Sequence, residues 1–77
     1  MIYIDKHKIG RNIKETAAAR GLTLVKLADK LEIDKSRLYN YTKGLCAPSC
    51  ITLFRIAKEL GVTMDSLMEG AEENDEK

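Results

Sequence analysis

Lys35, Ser36, Arg37, Tyr39, Asn40 and Lys43 fall within a nine-residue stretch that contains no acid. Wound as an α-helix of about 100° per residue with Leu38 and Tyr41 turned inward, this stretch points Ser36, Asn40 and Lys43 outward. Lys35, Arg37 and Tyr39 flank that face. These groups suit an anionic, base-bearing ligand. A carboxamide bonds adenine bidentately, an ammonium reaches guanine acceptors, and a hydroxyl bonds base or phosphate. A merely solvated helix face normally mixes both charge signs, so the missing acids favour a polyanion.

Other reactive groups point nowhere comparable. Cys46, Cys50 and His7 are the only Cys and His residues. A structural zinc site needs four such ligands at other spacings, so no metal is expected. In a reducing compartment the two cysteines are expected as free thiols. Cys46, Cys50, Ser36 and Ser49 are nominal nucleophiles. The sole imidazole, His7, lies on a different helix with no spacing that pairs it with any of them. Neither catalysis nor a cofactor is expected, and His7 reads as a solvated residue of a first helical turn.

The elements that must hold the 35–43 face are legible in the apolar spacing. Asp5 can cap a helix of about 6–20, on which Ile9, Ile13 and Ala17 make one stripe. Gly21 stops it. Thr23 caps a second helix, 24–31, with Leu24, Leu27, Ala28 and Leu31 at helical spacing. Three residues later Asp34 caps the third, 35–43, which closes at Gly44. Ser49 caps a fourth, 50–60, built on Leu53, Ile56, Ala57 and Leu60, and Gly61 ends it. Thr63 caps a short fifth helix, 64–68, with Leu67 inward. Strand signals are nearly absent. The fold class is therefore all-α, a five-helix bundle in one domain of residues 1–70, followed by an acidic flexible tail, 71–77.

Composition agrees. The chain has 77 residues, 44% hydrophobic and 32% charged, which suits one small globular domain. No apolar run approaches the roughly 18 residues of a membrane span, and the N-terminus lacks a signal-peptide core. The expectation is a complete cytoplasmic protein. The net charge of +1 hides an asymmetry. Residues 1–58 hold 12 Lys/Arg against five acids, or +7, while residues 59–77 hold one Lys against seven acids, or −6. A basic body with an acidic end is compatible with an anionic partner on one face.

Two short helices joined by three residues are the spacing of a helix-turn-helix, although a plain helical hairpin gives it too. The residues are more specific. Gly21-Leu22-Thr23-Leu24-Val25-Lys26-Leu27-Ala28, then Ile33-Asp34-Lys35-Ser36-Arg37-Leu38-Tyr39-Asn40-Tyr41 and Gly44, resemble the phage-repressor/Cro-like (XRE) helix-turn-helix family. So do Pro48-Ser49, Leu53, Ile56-Ala57-Lys58, Leu60-Gly61-Val62-Thr63 and Asp65-Ser66-Leu67. The resemblance spans about residues 8–69. It implies a lambda-repressor-like DNA-binding domain that reads double-stranded DNA through the third helix, usually as a homodimer on a palindromic operator. By the same resemblance the base-contacting positions fall on Lys35, Ser36 and Asn40, with Tyr39 beside it. Phosphate contacts fall on Thr23 and Arg37. Lys43, at the end of the exposed face, is expected on phosphate as well.

Three positions depart from the family's pattern. Leu24 stands where the family often has a Gln that contacts phosphate. The loop Leu45-Cys46-Ala47 is uncharged where a basic one is common. Ala17 and Thr42 occupy positions that many members join as an Arg–Glu pair. Losing both partners together strands no charge.

The function expected is a sequence-specific transcriptional regulator, most simply a repressor acting by operator occupancy, with no small-molecule ligand. An alternative is a protein-interaction module, such as an antitoxin or anti-repressor, that binds DNA weakly. If helices two and three face DNA, a dimer must form elsewhere. Phe54, Val62, Met64 and Met68 on the last two helices exceed what so small a core needs and are the expected interface. Phe54, one residue off the buried stripe, is its expected anchor.

Overall fold

The start of every helix is set by a Ser, Thr or Asp in extended conformation just before it. The computed structural model describes the backbone of residues 2–74 and the side chains of residues 4–71. Asp5 accepts from the His7 amide and opens α1 (Lys6–Ala19). Thr23 accepts from the Lys26 amide and opens α2 (Leu24–Leu31). α3 (Lys35–Thr42) begins after Asp34. Ser49 and Thr63 each bond the amide three residues on and open α4 (Cys50–Leu60) and α5 (Met64–Met68). These bonds satisfy donors that each helix leaves free at its start. Asp34 departs from expectation: it holds the N-cap position, but its carboxylate accepts no capping bond.

The helices close around one core. Ile13, Leu27, Leu31, Leu38, Ile56 and Leu67 are its largest fully buried members. Ile9, Ala17, Ala28, Leu53, Ala57 and Leu60 complete the expected stripes. The all-α five-helix bundle is what forms.

One addition was not foreseen. Ile2–Ile4 is a strand, β1, paired antiparallel with β2 (Glu72–Asn74), Ile2 opposite Asn74 and Ile4 opposite Glu72. The bundle also reaches past residue 70. Ala71 is fully buried, and its carbonyl accepts from the Asp5 amide at 2.6 Å. The acidic stretch 71–77, expected as a flexible tail, thus begins inside the fold; residues 75–77 lie outside the described residues. Glu72 and Glu73 have low intrinsic β-propensity, so pairing with the Ile-Tyr-Ile segment 70 positions away is what places them in a strand. Asn12 strengthens the same junction. Its amide donates to the carbonyls of Leu67 and Glu69, both at 2.8 Å, and fastens the end of α5 to α1.

α1 and α3 approach each other closely, and Gly10 allows it. Gly10 is buried mid-helix. A Cβ there would overlap the Tyr41 carbonyl oxygen and come within 2.8 Å of that of Thr42. In an open helix Gly→Ala gains roughly 1 kcal/mol from propensity. Here the methyl meets backbone, which cannot swing away as a side chain can, so the sign inverts. Gly10→Ala is expected to destabilise by about 1–3 kcal/mol. Urea unfolding checks this: a lower midpoint at unchanged slope is expected, and a wild-type or higher midpoint would mean that α1 and α3 do not approach this closely.

Candidate nucleic-acid interface

α3 is fixed from below by Leu38, fully buried, and Tyr41, 7% exposed. With those two inside, Lys35, Ser36, Arg37, Tyr39, Asn40 and Lys43 are all exposed, as is Thr23 at the head of α2. The structure therefore brings the seven candidate DNA-contacting residues to the surface, six of them on α3 and its C-cap. The α3 stretch presents three cations and no acid. Thr42 does not compete for this face. It is half-buried, and its hydroxyl donates to the Tyr39 carbonyl at 2.9 Å. Ala17 is buried and apolar, so the absent ion pair leaves no stranded charge. Leu24 is half-buried and packed against the core, which is what an apolar residue at that place can contribute.

The turn between α2 and α3 carries a feature the spacing does not reveal. Glu32 caps α2 in the left-handed region, at φ 58° and ψ 43°. Its amide donates to the Asp29 carbonyl and that of Ile33 to Ala28, so the turn is bonded as a helix stop even without glycine. Arg55 of α4 donates to the Leu31 carbonyl and holds the end of α2 from the other side.

Beyond α3 the chain is uncharged from Gly44 to Phe54. Gly44, at φ +76°, lies under the His7 ring, whose Cγ would be 2.8 Å from a Cβ at that position. His7 is thus exposed, as expected, but not free-standing: it covers the glycine that ends α3. Lys6 Nζ reaches the Leu45 carbonyl at 3.4 Å. A cleft of about 490 Å³ continues from there, lined by His7, Arg11, Lys14, Glu15, Ala18, Thr42 and Lys43. Arg11 and Lys14 were missed in the sequence. Their signal was present: positions 7, 11, 14 and 18 share one face of a helix.

The expected dimer residues separate into two groups. Phe54 is half-exposed, with Lys58 Nζ 5.6 Å from its ring centroid. Val62, Met64 and Met68 are half-buried and pack on the core. Phe54, Val62 and Met64 line one groove of about 320 Å³ with Ala57, Lys58, Thr63 and Asp65, and Met68 does not. Cys46 and Cys50 are free and exposed. Among the described residues no group of three metal-binding side chains comes together, and no helix is long and apolar enough to cross a membrane.

The family model described as "Helix-turn-helix" matches residues 13–67, more than half of the chain. Among solved structures, the restriction-modification controller protein C.AhdI from Aeromonas hydrophila is similar at a TM-score of 0.77 and 25% identity, over 82% of this chain and 96% of that one. SinR, a master regulator for biofilm formation solved in complex with DNA, is similar at 0.74 and 31%, over 79% and 98%. In the complex of SinR protein with SinI protein the values are 0.76 and 30%, over 80% of this chain and 61% of the other. No curated protein sequence matches significantly.

The strained turn generates a prediction. A side chain in the left-handed region costs about 1–2 kcal/mol, part of which glycine returns as unfolded-state entropy. Glu32→Gly is expected to stabilise the domain by about 0.5–1 kcal/mol. A raised thermal midpoint confirms it, whereas a drop would show that the Glu32 side chain makes a contact that outweighs its strain.

Proposed function

The chain belongs to the helix-turn-helix family, and we infer that it is a sequence-specific DNA-binding transcriptional regulator that reads double-stranded DNA through α3. The observation that carries this is the acid-free stretch Lys35–Lys43, whose candidate contact residues are exposed while Leu38 and Tyr41 are buried. In this reading Lys35, Ser36, Tyr39 and Asn40 face base edges in the major groove. Thr23, Arg37 and Lys43 hold the phosphates on either side. Thr23 adds the free amides and positive dipole end of α2. The simplest regulatory action is repression by occupying an operator, in the cytoplasm.

One such unit reads only about four to six base pairs, little information against a genome. A two-fold pair doubles the site and sets the recognition helices about 34 Å apart, one turn of DNA. The groove beside Phe54 lies on α4 and α5 and is the surface proposed for pairing, with Met68 as a peripheral contact.

Selection of bound duplexes from a random pool supplies the operator. On it, log K against log salt is expected to slope at about −5 or steeper, for roughly six phosphates neutralised per dimer. Asn40→Ala is expected to cost about 1–3 kcal/mol on that operator and to relax preference at one base pair. Equal loss on operator and scrambled DNA would place Asn40 among the phosphate contacts. No salt-dependent binding to any duplex would remove DNA as the ligand and favour a protein-interaction module.

Sedimentation at tens of micromolar tests the pairing. A dimer that Phe54→Glu converts to monomer is the expected result. A wild-type monomer that binds a palindromic site one-to-one would defeat it.

A further inference from the structure

Positive charge on this molecule is not confined to α3. The chain carries no charge between Lys43 and Arg55, so the segment that leaves the recognition helix offers no cation of its own. α1 supplies cations at that place. Lys6 bonds the Leu45 carbonyl, the His7 ring lies over Gly44, and Arg11 and Lys14 line one cleft with Lys43. Arg11, Lys14 and Lys43 are exposed, and the single acid in the cleft is Glu15. Three cations against one acid, in a concave site open to solvent, make a local positive field where the proposed base-reading surface ends.

We propose that the cleft between α1 and the end of α3 is a phosphate clamp, in which Arg11 and Lys14 act with Lys43 on the DNA backbone just outside the bases that α3 reads. This deepens the DNA-binding reading and rests on it. The occupant is a sugar–phosphate backbone because the cleft adjoins the face proposed to lie in the major groove. A strand contacted by Lys43 continues across the cleft mouth. The guanidinium of Arg11 can take a phosphate bidentately, and Lys14 meets it as a point charge. α1 thereby supplies the sequence-independent contacts that the uncharged loop cannot. Because Gly10 seats α1 on the carbonyls of Tyr41 and Thr42, the clamp and the recognition helix move as one body.

The test uses the full chain and its selected operator. The double variant Arg11→Gln/Lys14→Gln is compared with Lys8→Gln/Lys30→Gln, which removes the same charge from exposed positions outside the cleft. Circular dichroism and thermal midpoints establish that both fold. In the cleft variant the salt slope is expected to fall in magnitude by about 2, since the clamp holds one phosphate per protomer and each phosphate accounts for about 0.9. Affinity is expected to fall by the same factor, on the order of tenfold or more, on operator and scrambled duplex alike, with base preference unchanged. Trimming the duplex to the bases read by α3 is expected to weaken the wild type more than the cleft variant, which has already lost the clamp's share of the flanking backbone contacts. A cleft variant with the wild-type slope would overturn the clamp while leaving the DNA-binding reading intact. Equal losses in both variants would overturn it too, by showing an effect of net charge alone. A wild type that binds no duplex would overturn the clamp and the reading together.

Discussion

The seating of α3 on α1 through Gly10 is the contact on which the rest of this structure depends. A helix that reads a groove must be held at a fixed angle and depth, yet most of its surface has to stay free for the ligand. α3 has eight residues and buries only Leu38 and Tyr41 fully within it. An isolated helix of that length is not stable in water, so its order comes from packing. Gly10 lets the α1 backbone touch the carbonyls of Tyr41 and Thr42 directly. That contact fixes the end of α3, and Leu38 in the core fixes its middle. α1 is itself tied at one junction, by Asn12 to the end of α5 and by the Asp5 amide to Ala71. The short β1–β2 ribbon closes the same junction. A distant pairing of chain ends and the pose of the reading helix are therefore links in one chain of contacts.

Electrostatics follow from that arrangement. A close α1–α3 contact brings the exposed side of α1 beside the end of α3, so its cations serve the same surface. Residues 1–58 carry the excess of +7, and residues 59–77 carry −6 on α4's end, α5 and beyond. The net charge of +1 conceals a basic stretch of sequence and an acidic one.

Much of this was legible in the sequence, for reasons that also mark where it stops. Apolar spacing of 3 and 4 depends only on helical geometry, so the five helices and the buried set from Ile13 to Leu67 could be read off directly. Thr23, Ser49 and Thr63 were legible because a cap acts within three residues. The solvent face of α3 followed once Leu38 and Tyr41 were turned inward. What escaped was nonlocal or lacked its usual residue. β1 and β2 are each three residues long and pair across the whole chain, and two glutamates disguise the second. The bounds of α2, 24–31, were legible, but the left-handed residue that stops it escaped because Glu32 stands where glycine would announce one. Gly10 escaped because a glycine inside a helix reads as a weakness until its neighbour is seen. Arg11 and Lys14 escaped because only the packing of α1 on α3 brings them to one cleft with Lys43.

Phe54 shows how burial and exposure are weighed in so small a domain. Single exposed apolar residues are common and call for no explanation. Phe54 is not single: it borders Ala57, Val62 and Met64, whose inner surfaces belong to the core. Lys58 lies at 5.6 Å from its ring, a distance at which an ammonium gains about 0.5–1 kcal/mol while staying hydrated. That contact covers one face of the ring and leaves its edge and the groove open. Filling the groove with a second copy removes apolar area from water on both sides at about 25 cal/mol per Å². It also asks nothing of α3, because α4 meets α2 and the core rather than the reading face. Asp65 at the groove's rim sets a further condition. In a two-fold arrangement each copy's Asp65 and Lys58 are repeated on the other, so a register that crosses Lys58 with the partner's Asp65 is favoured over one that stacks like charges. In the proposed pair these two charges beside the ring therefore favour one register, and with it one spacing of the two α3 helices.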